Sequence, residues 1–97
     1  MKVVYSPRAI SDLGEIADYL VPRSPTGARA VEERIQRTVW LLSEFPGSGR
    51  ALSQRSMVRV IPIGRYPYLI FYSISANELT ILHIRHGARR PLREEDF

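Results

Sequence analysis

The sequence predicts an α+β fold: a small antiparallel-type sheet with a two-helix hairpin packed on one face, in the order β-α-α-β-β-β. Three observations carry this. Tyr68 to Ile74 and Leu79 to Arg90 are β-prone runs flanking a short Ala76-Asn77 turn, a hairpin because aromatic and β-branched side chains fit a pleated, half-buried surface. Ser6-Pro7 and Ser24-Pro25 each open a run of apolar residues at helical spacing. A third β-prone stretch, Met57 to Ile63, leads into the hairpin through Gly64-Arg65-Tyr66-Pro67.

In chain order, Lys2 to Tyr5 reads as a short strand. Ser6 suits an N-cap and Pro7 a first helical residue, since a helix start leaves that N–H unpaired anyway. Ile10, Leu13, Ile16, Ala17 and Leu20 then mark one face of a helix expected to stop near Val21-Pro22. The device repeats at Ser24-Pro25, with Ala28, Val31, Ile35, Val39 and Leu42 on one face, and Pro46-Gly47 ending the second helix near Phe45. Trp40, on this helix, is read as core or as the rim of a partner groove. Gly47 to Ser56 is read as a loop. In the following strand Met57, Arg59, Ile61 and Ile63 share one side, Val58 and Val60 the other. Residues 91–97 are read as a flexible tail of a single domain spanning 1–97.

A chain of 97 residues with 44% hydrophobic and 25% charged side chains has an ordinary globular composition. It has to be stabilised by one compact core. Its longest uncharged stretch, Tyr66 to Asn77, is far below the ~20 residues a membrane-spanning helix needs. Only Val3-Val4-Tyr5 separates Lys2 from Ser6-Pro7, too little for a signal peptide, so a cytoplasmic location is expected. With no cysteine, the chain has no thiolate nucleophile, disulfide or zinc–thiolate site.

Charge is informative through its position. Residues 1–44 carry six basic and six acidic side chains, whereas residues 45–93 carry eight arginines (50, 55, 59, 65, 85, 89, 90 and 93) against Glu78 alone. A local excess of seven positive charges points to a polyanionic partner, nucleic acid or an acidic protein segment. All basic residues except Lys2 are arginine, whose planar fork binds phosphate or carboxylate bidentately. Arginine-rich codon usage explains that composition equally well; it does not explain the clustering.

Several enzyme signatures fail. Gly47-Ser48-Gly49 starts like a dinucleotide fingerprint, but Leu52 stands where the third glycine belongs and no strand leads in. No Walker loop, nucleophile elbow or catalytic carboxylate pair is visible. His83 and His86 are an odd number apart and would face opposite sides of a regular strand, so no metal site and no cofactor are expected. Arginine placement remains. If Thr80, Leu82 and Ile84 pack under the helices, Ile81, His83 and Arg85 line the uncovered sheet face, with Arg59 on the same kind of face. Arg50, Arg65, His86, Arg89 and Arg90 complete a basic surface that calls for an anionic partner. His83 by itself is read as packed rather than functional.

These residues carry a family resemblance. Tyr5-Ser6-Pro7, Ala9, Leu13, Ile16, Pro46, Gly49-Arg50, Arg59, Gly64-Arg65-Tyr66-Pro67-Tyr68-Leu69-Ile70-Phe71-Tyr72 and Ile84-Arg85-His86-Gly87-Ala88-Arg89 together resemble the RelE/ParE toxins of type II toxin–antitoxin systems. The resemblance spans nearly the whole chain and implies a cytoplasmic growth inhibitor neutralised by a cognate antitoxin protein in a hetero-oligomer, with Arg50, Arg59, Arg65, Arg85, His86, Arg89 and Arg90 as its target- or antitoxin-binding surface.

Two branches follow from that resemblance. RelE-like members cleave mRNA on the ribosome; ParE-like members poison DNA gyrase without nuclease chemistry. Cleavage by a 2′-OH needs a base, an acid and cations for the phosphorane charge. RelE-like members draw these from mid-chain lysines or a glutamate–histidine pair, with a tyrosine or histidine near the C-terminus. This chain has no lysine after Lys2, no acid between Glu44 and Glu78, and no tyrosine after Tyr72. The ParE-like branch is therefore favoured, with no catalytic residue expected. The alternative is a ribosome-dependent endoribonuclease using Arg59, Arg85 and His86; a third reading is a non-toxic member that only binds its partner.

Overall fold

Both helices begin at their serine–proline pairs. Ser6 Oγ accepts the Ala9 N–H at 3.0 Å and Pro7 opens α1, Pro7–Arg23. The Ser24 N–H donates to the Leu20 carbonyl at 2.8 Å and closes α1, while Ser24 Oγ accepts the Gly27 N–H at 2.9 Å to start α2, Pro25–Glu44. One residue thus caps both helices and no loop is needed between them. Helix α1 runs past its expected stop, with Pro22 in its last turn. That turn is held by Arg23, whose Nη1 donates to the Tyr19 carbonyl at 2.6 Å and whose guanidinium lies over the Tyr19 ring at 3.8 Å.

The computed structural model describes residues 1–54 and 56–97; Arg55, counted above with the mid-chain arginines, lies outside the described residues. The strands are β1 (Lys2–Tyr5), β2 (Arg50–Ala51), β3 (Val58–Pro62), β4 (Tyr68–Ser75) and β5 (Glu78–His86), ordered β1-β5-β4-β3-β2. The expected α+β architecture and helical hairpin are present. The sheet is mixed, because β1 lies parallel to β5 while the other pairs are antiparallel. A parallel pair needs a long crossover, and the rest of the chain supplies it. Strand β2 falls inside the expected loop and is too short to show a period in sequence.

Alternation divides the sheet into two packed faces. On one, Val31, Ile35 and Leu42 of α2 and Ala9 of α1 form a core with Ile70, Tyr72, Leu79, Ile81 and Ile84. On the other, Val58, Val60 and Phe71 cluster with Leu52, Leu69, Leu82 and Leu92. The face expected to be open and basic is therefore largely apolar. Residues 91–97 lie along it: Leu92 joins the cluster, Phe97 places its ring 5.5 Å from that of Phe71, and Arg90 faces Asp96 at 3.6 Å.

A bulge explains the difference from simple alternation. Tyr72 pairs with Ile81 and Phe71 with His83, so Leu82 is an extra residue in β5. Ile81 and Ile84 consequently both reach the helix-side core, while Leu82 joins the opposite cluster. The expectation that Leu82 and Ile84 share a face, with Ile81 on the other, is corrected by that one residue. Trp40 is not core: it is 62% exposed, near the C-terminal end of α2.

Candidate functional site

Strand β1 ends at Tyr5, opposite Ile81, which leaves one edge of β5 without a strand from Leu82 onward. The start of α1 takes over that edge. The Ser6 N–H donates to the Ile81 carbonyl at 2.9 Å, and Ser6 Oγ donates to the Leu82 carbonyl at 2.8 Å. Two turns later the buried carboxylate of Asp12 accepts the Ile84 N–H at 2.9 Å. The same carboxylate oxygen accepts a hydrogen bond from His83 Nδ1, and its other oxygen accepts Arg8 Nε at 3.2 Å. A buried carboxylate surrounded by three donors is satisfied, and it fixes both the His83 ring and the course of β5.

Asp12 carries only a faint mark in the sequence. It stands three residues after Ala9 and four before Ile16, on the helix face that packs inward. An acid on such a face needs a partner, and the partner is 71 residues away.

Along this seam and the end of β5 runs a groove of about 630 Å³, with Asp12 and His83 on its inner wall and Glu15, Tyr66, Arg85, His86 and Arg89 further out. The hairpin delivers Arg85 and His86; the Gly87 N–H, bonded to the Pro67 carbonyl at 2.7 Å, turns the chain so that Arg89 follows into the same wall. His86 meets Tyr68 edge-on at 5.5 Å between ring centroids, and its Nδ1 accepts the Ala88 N–H at 3.0 Å. Burial, followed by the charges of Arg89, Arg90 and Arg8, pulls the Arg85 guanidinium below its ordinary value. It stays charged at neutral pH, and its like-charged neighbours make the rim receptive to an anion.

The remaining sequence-derived site residues are dispersed. Arg90 belongs to this rim through its effect on Arg85 and its ion pair with Asp96. Arg59 shares the Tyr72 side of the sheet, because Val58 and Val60 face the second cluster, and its Nη1 donates to the Gly49 carbonyl at 2.7 Å. There it helps Tyr72, whose hydroxyl donates to the Pro46 carbonyl and accepts the Gly49 N–H, both at 2.8 Å, to hold the 46–49 turn. Arg50 is exposed on the edge strand β2. Arg65 is exposed in a separate groove with Arg34 and Arg37. The structure thus brings Arg85, His86 and Arg89 together with Arg90 close by, and does not bring Arg50, Arg59 or Arg65 to them. His83 is buried at the seam rather than lining an open face.

The profile of the ParE toxin of type II toxin–antitoxin systems, parDE, matches residues 3–91. The chain belongs to the ParE toxin family. Among curated relatives, it is 36% identical to Toxin RelE2 of Caulobacter vibrioides over 90 residues, covering 91% of this chain and 97% of that one. It is 34% identical to the putative toxin Y4kP of Sinorhizobium fredii, covering 84% and 86% of the two chains. The fold matches a chain of the chromosomal ParDE toxin–antitoxin system from P. aeruginosa with a TM-score of 0.63 at 21% identity, over 89% of this chain and 95% of the other. This ParE-family chain is a type II toxin–antitoxin toxin, and none of its described helices is long and apolar enough to cross a membrane.

Proposed function

We propose that this toxin inhibits DNA gyrase by binding rather than by chemistry, and that an antitoxin neutralises it by laying an acidic, amphipathic segment into the groove at the end of β5. The observation that carries the reading is the disposition of the two histidines. His83, the stronger candidate for an oriented base because a carboxylate backs it, is buried in the seam between α1 and β5. His83 reaches the inner wall of the groove but is 8% exposed, with its Nδ1 engaged by Asp12, so His86 is the more accessible imidazole beside Arg85 and Arg89, where strand cleavage calls for both a base and an acid. The apolar wall supplied by Ile16, Leu20 and Tyr66 suits the apolar side of a docking segment, and the arginines suit its acids. Purified toxin titrated into a gyrase supercoiling reaction is expected to block supercoiling or trap cleaved DNA; neither effect at excess toxin would refute the proposal.

A second reading rests on His86 itself. Its Nδ1 is held by the Ala88 N–H, which orients the ring and leaves Nε2 for proton transfer beside two arginines. On that reading the toxin is a ribosome-dependent endoribonuclease, and His86→Gln abolishes codon-positioned cuts seen by primer extension. On the gyrase reading no such cuts occur in the first place.

A further inference from the structure

The second cationic groove takes no part in either reading. It lies between α2 and the turn joining β3 to β4, with a volume of about 590 Å³. Arg34 and Arg37, one turn apart on α2, share a helix face, and Arg65 meets them from the turn. Arg34 is held in place: its Nε donates to the Ile63 carbonyl at 2.8 Å. Gly64, at φ 93°, makes the space for its guanidinium, since a Cβ there would lie 2.6 Å from Arg34 Nη2. A guanidinium fixed in this way loses little freedom when its remaining N–H groups engage a ligand.

Charge and lining together indicate the ligand class. Among the described residues none of the three arginines is in a salt bridge, and Glu33 is the one acid in the groove wall. Three guanidinium groups against one carboxylate favour a multivalent anion. The wall offers only Ala30 and Tyr66 as apolar surface, no seat for the apolar face by which a peptide helix docks. Phosphate contacts require only charge and directed N–H groups, which the arginines supply. Tyr66 lines this groove and the β5 groove alike, so the two basic surfaces adjoin there.

We propose that the Arg34–Arg37–Arg65 groove binds the phosphodiester backbone of nucleic acid, independently of how the toxin acts on its target. The test is fluorescence anisotropy of the full-length chain with a labelled DNA duplex of about 20 base pairs and, in a second arm, a single-stranded RNA of similar length, each across a salt series. Arg37→Glu and Arg65→Glu are each expected to weaken binding at least roughly fivefold and to reduce the salt slope by about 0.9 per lost phosphate contact. Arg29→Glu, the same charge change on the α2 surface that faces the helix-pair groove, is expected to have less than about a twofold effect. Stronger binding in one arm assigns DNA or RNA as the source of the phosphates. Absence of binding, equal losses for Arg29→Glu and Arg37→Glu, or equal competition by polyglutamate would overturn the proposal, the last in favour of an acidic protein partner. Should Arg37→Glu fail to fold, Arg65→Glu on its exposed turn carries the test alone. A negative gyrase assay leaves this result untouched.

Discussion

Asp12 and His83, 71 residues apart in sequence, are hydrogen-bonded in the interior, and the same Asp12 oxygen takes the Ile84 N–H. Removing the carboxylate leaves a buried backbone donor and a buried imidazole without their acceptor. Asp12→Ala is therefore expected to destabilise the fold by about 3 kcal/mol in chemical denaturation. Asp12→Asn keeps an acceptor oxygen and is expected to lose distinctly less. Equal losses would mean that packing, not hydrogen bonding, holds the seam.

Tyr72 is the counterpart at the other end of the sheet. Its side chain is fully buried, and its hydroxyl donates to the Pro46 carbonyl and accepts the Gly49 N–H. Tyr72→Phe preserves the ring and orphans both groups, with an expected loss of roughly 1–3 kcal/mol. Burial raises the Tyr72 hydroxyl above its ordinary value of 10.0, against the smaller lowering effects of the Gly49 N–H and Arg59. A raised folded value makes the contribution complete below that ordinary value and lost as pH climbs through the folded one. Stability measured upward from pH 9 should fall in the wild type, and the Tyr72→Phe variant should fall less steeply; parallel curves would remove Tyr72 as a cause.

The C-terminal segment should respond to acid. The Arg93 N–H, which Asp96 accepts at 2.8 Å, and then the nearby Arg90 hold the Asp96 carboxyl below its ordinary 3.8. A depressed folded value means that the interaction is present above that ordinary value and lost as pH falls through the folded one. The ring-current shifts that Phe97 and Phe71 impose on each other should collapse over that acid range. In Asp96→Asn they should be weaker at neutral pH and insensitive to acid in this range. An unchanged titration in the variant would show that other carboxyls control the segment.

Antitoxin binding offers a test of the β5 groove. Arg85→Glu is expected to weaken the toxin–antitoxin complex at least roughly tenfold, as truncated or reversed buried charge contacts do. Arg29→Glu should change it little. Isothermal titration calorimetry giving equal effects would place the antitoxin elsewhere.

The sequence made much of this fold legible because its strongest signals are local. Ser6-Pro7, Ser24-Pro25 and the helical spacing of Val31, Ile35 and Leu42 fix elements through short-range chemistry, and the helices begin where those signals stand. Residues that depend on long-range geometry were not legible. The extra residue Leu82 reverses the face of its neighbours with no mark in composition, and Asp12 acquires its meaning only when β5 arrives beside it. Of the candidate residues, Arg85, His86 and Arg89 were legible as neighbours because they lie close together along the chain, and they line one groove. Arg59 and Arg65 separate because strand phase and turn geometry send them to other surfaces.

The most direct test of the proposed action is induction of this chain alone in a bacterial host, with gyrase-linked DNA breaks and mRNA 5′ ends mapped from the same culture. Growth arrest with gyrase-linked breaks and no codon-positioned mRNA cuts is the expected result. Codon-positioned cuts without gyrase-linked breaks would contradict it and make His86 the residue to examine as a proton-transfer group.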